Sequence, residues 1–138
     1  MRVVFDTNVF VSALVGGGPP RELLERWTLS DAFELIVSPM LLEELSDVLR
    51  RDKFRRWFTL EDAEILNSRL RSEATEVKDP DTAEPVTADP DDDYLVALAI
   101  AAEADGIVSG DSDFTAMPNA RPAVYTPTDF LAALEAPA

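Results

Sequence analysis

The 138-residue chain contains no cysteine and no histidine. Without cysteine it has no disulfide framework, no thiolate metal site and no thiol nucleophile. Without histidine it lacks the side chain most used as a general base near neutral pH, so any hydrolysis must run on carboxylates, hydroxyls, Lys/Arg or a metal ion. Long apolar runs are missing too: the longest, Tyr94 to Ala102, falls far short of the ~20 residues a membrane span needs, and no membrane association is expected. The N-terminus enters an apolar strand at once and has no signal-peptide layout, so the expected location is cytoplasmic. Positive charge is scarce. Twelve Lys and Arg face 27 Asp and Glu, for a formal net charge of −15. That balance argues against broad electrostatic capture of nucleic acid; it suits cation binding or a basic partner, and solubility alone explains it as well.

The remaining composition, 46% hydrophobic, is that of a globular chain long enough to bury a core. Residues 1–138 are expected to form a single domain, with no internal repeat or linker to divide them. Arg2 to Phe5 is a short β-branched run ending in Asp6, as in a strand buried on both faces. A helical stretch over Val9 to Val15 follows, then a Gly/Pro break at residues 16–20. The next helix, about Pro20 to Thr28, turns Leu23, Leu24 and Trp27 inward. Phe33 to Val37 reads as a strand. Ser38-Pro39 is a helix start, with Ser as N-cap and Pro in the first turn, and that helix runs to about Arg50, burying Leu41, Leu42, Leu45, Val48 and Leu49. A helix over about Leu60 to Arg71 and a strand over Ala74 to Val77 lead to a loop from Lys78 to Asp93 that carries seven acidic residues. An Ala/Leu-rich helix from about Asp91 to Ala104 is apolar on almost every side and is expected to be buried. Gly106 to Ser109 and a segment from Val124 complete the strands, and Pro127 to Leu134 the helices. Strands alternating with helices predict an α/β fold, a parallel sheet with helices on both faces.

In such a sheet, sites form at the carboxyl ends of the strands. Two strands stop at an Asp on that edge, Asp6 and Asp111, although one such Asp is equally a turn residue or a helix cap. At ~100° per residue, Glu44 lies beside Leu41, Leu45 and Val48, while Glu43 and Asp47 point away. Asp92 falls near the face of Leu95 and Ala99, Asp93 points away, and Asp91 or Asp89 suits the helix cap. Asp113 is a weaker candidate. Carboxylates gathered without His, Cys or a nearby Lys repel one another unless a cation sits among them. Oxygen-only donors suit Mg²⁺ or Mn²⁺, which can deprotonate a water and clamp a phosphate. Thr7, Asn8 and Ser109 are placed to hold the carboxylates by hydrogen bonds.

These segments resemble a known family. Residues 3–10, Val-Val-Phe-Asp-Thr-Asn-Val-Phe, look like the opening of PIN-domain proteins. Residues 38–45 resemble the second block of that family, with its Glu at Glu44. Residues 89–99 resemble the third, with Asp92 as the ligand, and residues 107–114 the fourth, with Asp111. The blocks occur in order over most of the chain. The pattern is most similar to PIN proteins that act as toxins of bacterial toxin–antitoxin pairs. The resemblance implies a three-layer α/β/α sandwich, Mg²⁺- or Mn²⁺-dependent RNA cleavage by Asp6, Glu44, Asp92 and Asp111, a homodimer and a cognate antitoxin. Ser109 stands where Thr is more usual, with the hydroxyl kept.

Five of the twelve basic residues, Arg50, Arg51, Lys53, Arg55 and Arg56, lie in one segment followed by Trp57 and Phe58. They read either as an RNA-binding patch with stacking aromatics or as a solvated helix end whose cations complement the dipole. Arg21 is a second basic candidate. Two rival functions remain at this stage. A haloacid-dehalogenase-type phosphatase wants a second Asp two residues after the first, where this chain has Asn8, and a Lys near the later strands, which is missing; a phosphoacceptor receiver domain wants that Lys too. A non-catalytic, metal-binding PIN-like interaction module keeps the same ligands without turnover.

Overall fold

Three apolar runs with no polar face form the middle of the sheet, and each is buried on both sides. Val3, Val4 and Phe5, Leu35 to Val37, and Ile107 with Val108 are all at most 1% exposed. The computed structural model describes residues 1–81, 83, 90–115 and 122–136. Within them β1 (Arg2–Phe5), β2 (Glu34–Val37), β3 (Thr75–Glu76), β4 (Gly106–Val108) and β5 (Ala123–Tyr125) make one sheet in the order β3-β2-β1-β4-β5. Every pairing is parallel, with Val3 opposite Leu35 on one side and Gly106 on the other. The edge strands β3 and β5 have only two and three residues, which limits exposed edge. Gly106 is required by close approach: a Cβ there would lie 2.7 Å from Cε2 of Tyr125 on the neighbouring strand.

The helices are α1 (Thr7–Val15), α2 (Pro19–Leu29), α3 (Pro39–Leu49), α4 (Leu60–Glu73), α5 (Pro90–Ala101), α6 (Ser112–Thr115) and α7 (Pro127–Glu135). The chain travels outward from β1 through β2 to β3, then crosses back to β4 and out to β5. Right-handed crossovers therefore put α1 to α4 on one face and α5 with α6 on the other, the α/β/α sandwich expected from sequence. The direction of travel reverses between β1 and β4, so these two strands flank the switch point where sites form in open parallel sheets. Among the described residues no helix is long and apolar enough to cross a membrane.

Local signals explain most boundaries. Ser38 caps α3, its Oγ accepting from the Leu41 N–H at 3.2 Å, with Pro39 in the first turn. Thr59 and Asp62 form a reciprocal capping box that starts α4. Leu23 is fully buried, and Leu24 and Trp27 pack partly buried against the core. Several details differ from the sequence reading. A 3₁₀ turn at Asp52–Phe54 and the one-turn α6 are additional, because a single turn carries no readable period. The third strand contracts to two residues, and Val48 is only half-buried. The Ala-rich α5 ends at Ala101 and leaves Ile100 61% exposed; alanine tolerates either environment, so its abundance does not define a buried face.

Candidate active site

The pairing of β1 with β4 continues one residue past the strands, the Asp6 N–H donating to the Val108 carbonyl at 2.8 Å. This extension sets Asp6 beside Ser109. The fully buried Ser109 hydroxyl donates to Oδ2 of Asp6 at 2.9 Å and accepts from the Asp111 N–H at 3.1 Å. One hydroxyl thus joins the two strand-terminal loops that carry carboxylates. Asp6 also caps α1, its Oδ1 accepting from the Asn8 N–H at 3.3 Å. One oxygen of Asp6 thus caps α1 while the other accepts from Ser109. Asn8 supports Asp6 through its backbone; its side chain is exposed. Thr7 is buried, and across the gap between α1 and α3 its hydroxyl favours the charged form of Glu44.

A cavity of about 630 Å³ opens at this edge, and Asp6, Glu44, Asp91, Asp92 and Asp111 all line it. The four acids singled out in the sequence therefore share one concavity, and Asp91 joins them. Asp91, read with Asp89 as an alternative helix cap, also exerts its charge on both Asp6 and Glu44. Asp92 is buried, as expected; Asp93 is buried as well, at 7% exposure. Asp93 faces a different cavity, against Val77 to Asp81 of the preceding loop, so pointing away from the acid cluster does not bring it into solvent. Asp89 and the side chain of Asp113 lie outside the described residues.

The α3 and α5 acids are held in register by a clasp that sequence reasoning missed. The Tyr94 hydroxyl of α5 lies 2.6 Å from the Ser38 Oγ and donates to Asp79, whose carboxylate also accepts from the Met40 N–H at 3.2 Å. Asp79 thereby satisfies an orphan donor in the first turn of α3 and ties that turn to α5. Burial alone would raise the Asp79 carboxyl, but the bonds from Tyr94, Ser38 and Met40 outweigh it and hold the group below its ordinary value. Burial and the Asp79 charge push the Tyr94 hydroxyl up, keeping it protonated.

Electrostatics within the cluster run the other way. Burial raises the Asp6 carboxyl above its ordinary value; Ser109 and Asn8 pull it down, and the charges of Asp111 and Asp91 push it up. Glu44 is raised by loss of solvent at its carboxyl and by Asp91 and Asp6, with relief from Thr7 and Arg51. This surplus of negative charge is what a cation would relieve. Among the described residues no three acids already stand close enough to hold one ion together, so their side chains would draw in on binding. An all-oxygen donor set with flexible carboxylates fits Mg²⁺ or Mn²⁺, and Asp6, Glu44, Asp92 and Asp111, with Asp91 beside them, are the residues that would hold it.

The basic segment divides. Arg55 turns back onto α3, donating to the Leu49 carbonyl and lying over the Phe58 ring; it closes a helix end. Lys53 and Arg56 lie over Phe54 and Trp57. Arg50 caps α3 and lines two other cavities. Arg51 lines the acid cavity. Arg21 is occupied by the Ala13 carbonyl.

Comparison with known proteins agrees with this architecture. An uncharacterized protein of Methanocaldococcus jannaschii, MJ1680, is 28% identical over 118 residues, covering 85% of this chain and 75% of that protein. A chain in the crystal structure of VapBC2 from Rickettsia felis bound to a DNA fragment from their promoter superposes with a TM-score of 0.60 at 16% identity, covering 91% of this chain and 98% of that one. The family model for the PIN domain matches residues 2–113, from the first strand through the Asp that follows β4. The chain belongs to the PIN-domain family, whose members are typically nucleases.

Proposed function

We propose that this protein is a Mg²⁺- or Mn²⁺-dependent endoribonuclease and the toxin of a toxin–antitoxin pair. The observation that carries the reading is the cavity at the switch point, where five carboxylates from four segments of a PIN-domain chain converge. A divalent ion bound there would lower the pKa of a water and offset charge on the phosphate in an in-line displacement. The protein's own part is positional. Asp6 and Asp111 are fixed to one another through Ser109, Glu44 is steadied by Thr7, and the Tyr94–Ser38–Asp79 clasp sets the distance between the α3 and α5 acids. Preorganisation of this kind limits the reorganisation needed to reach the reacting geometry. The likeness to a chain from a VapBC2 structure supports assembly with a cognate antitoxin, for which the acidic surface suits a basic segment, and a homodimer is part of the proposal.

The test is cleavage of total RNA in Mn²⁺ or Mg²⁺, with EDTA and Asp6→Asn as controls. Fragments that disappear in both controls support the reading. Intact RNA from a sample that binds Mn²⁺ by calorimetry rejects it in favour of a PIN-like module that serves as a binding partner without turnover.

A further inference from the structure

Among the described residues, five carboxylates line the candidate site, and the lining includes a single cation, Arg51. Its position follows from the end of α3: Arg50 is the C-cap, and the Arg51 N–H bonds the Val48 carbonyl at 3.2 Å before the chain enters the 3₁₀ turn. The guanidinium forms no hydrogen bond or ion pair among the described residues. Other arginines are committed. Arg2 pairs with Glu34, Arg26 with Glu22 and Glu135, and Arg69 with Glu73, while Arg55 closes α3. An exposed guanidinium beside acids, yet bonded to none of them, keeps its fork available to an incoming group.

A nucleic-acid backbone approaching this wall meets strong repulsion. Metal ions held by the carboxylates would offset part of it at the reacting phosphate, but neighbouring phosphates need their own counter-charge. A guanidinium matches two phosphate oxygens with parallel N–H donors, which an ammonium does not. We propose that Arg51 anchors an RNA backbone phosphate next to the scissile one, so that the strand enters the cavity over the C-terminal end of α3. This rests on the ribonuclease reading above. Of the five basic residues in the segment, Arg51 is the one that lines the acid cavity.

The experiment compares wild-type protein with Arg51→Gln, Arg51→Lys and the charge-matched control Arg71→Gln, which removes a cation near Glu43 and Glu76 instead. Steady-state cleavage of a labelled single-stranded RNA in Mn²⁺ is measured across a salt series, together with Mn²⁺ affinity by calorimetry and the melting temperature of each variant. Arg51→Gln should raise KM roughly tenfold with kcat within about threefold. The slope of log KM against log salt should fall by roughly 0.7, the loss of one phosphate contact on a single strand. Mn²⁺ affinity should hold or rise slightly as Glu44 loses a neighbouring cation, Arg51→Lys should recover part of the KM, and Arg71→Gln should match wild type. Unchanged KM and salt slope in Arg51→Gln overturn the proposal. So does a change in Mn²⁺ affinity at constant salt slope, which would assign Arg51 to neutralising Glu44. Absence of cleavage by the wild-type protein removes the ribonuclease reading, and the anchor with it.

Discussion

Ser109 is the smallest group on which the most geometry depends. Its buried hydroxyl is at once donor to Asp6 and acceptor from the Asp111 backbone. Removing it takes one hydrogen bond from the Asp111 backbone and one from the Asp6 carboxylate, at a cost of about 1–3 kcal/mol. Ser109→Ala should lower the melting temperature and, by loosening two carboxylates, reduce cleavage about 10–100-fold, whereas Ser109→Thr should keep both; thermal denaturation and a cleavage time course check this. The carboxylates carry the opposite sign. Asp6 has a folded pKa above its ordinary value, so the folded chain holds that proton more tightly than the unfolded one. The stability it contributes is complete below the ordinary carboxylate range and is lost as pH rises through the folded value. In EDTA, Asp6→Asn should therefore melt above the parent at pH 7, with the gap closing below pH ~4. Equal melting temperatures at pH 7 would show that the acids do not strain one another. At this scale the sequence was informative where backbone periodicity decides a residue's direction, as for Asp6, Glu44 and Asp111. It did not show that Asp91 lines the cavity, or that Asp93, pointing away from the acid cluster, is buried against Val77 to Asp81, because the packing around α5 is a tertiary fact.

The helices owe their ends to local chemistry, and some of it is suboptimal. After α5 the Glu103 N–H bonds the Ile100 carbonyl and the Ala104 N–H the Ala99 carbonyl, a Schellman closure. Glu103 holds the left-handed position of that closure at φ +53°, which a side chain disfavours and glycine accepts freely. Glu103→Gly should stabilise the protein by about 0.5–1 kcal/mol, readable as a rise in melting temperature with cleavage unchanged. A fall would mean that the Glu103 side chain has a stabilising contact. The Ser38-Pro39 start of α3 was legible because N-cap and first-turn proline are sequence-local. The Tyr94–Ser38–Asp79 clasp was not, since its members are separated by 15 and 56 positions and only the folded chain brings them together. The 3₁₀ turn at Asp52–Phe54 also escaped notice, and with it the turn that separates Arg51 from Arg55.

At the level of the molecule, the fold and the charge distribution answer to one constraint. The reversal between β1 and β4 opens a crevice at the carboxyl edge, and the strand-terminal residues that face it are acids. A chain with a net charge of −15 still concentrates repulsion there rather than spreading it over the surface alone, since Asp6 and Glu44 each feel the charges of neighbouring acids. Unrelieved, that arrangement costs stability; a divalent ion bound there would offset it. Calorimetric titration of Mn²⁺ into the metal-free protein tests this directly, with Asp6→Asn and the outward-facing Glu43→Gln in parallel. The account predicts saturable binding to the parent, affinity at least tenfold weaker in Asp6→Asn, and parental affinity in Glu43→Gln. Equal Mn²⁺ affinity in the parent and Asp6→Asn would contradict it, because the carboxylates at the switch point would then not be the metal site.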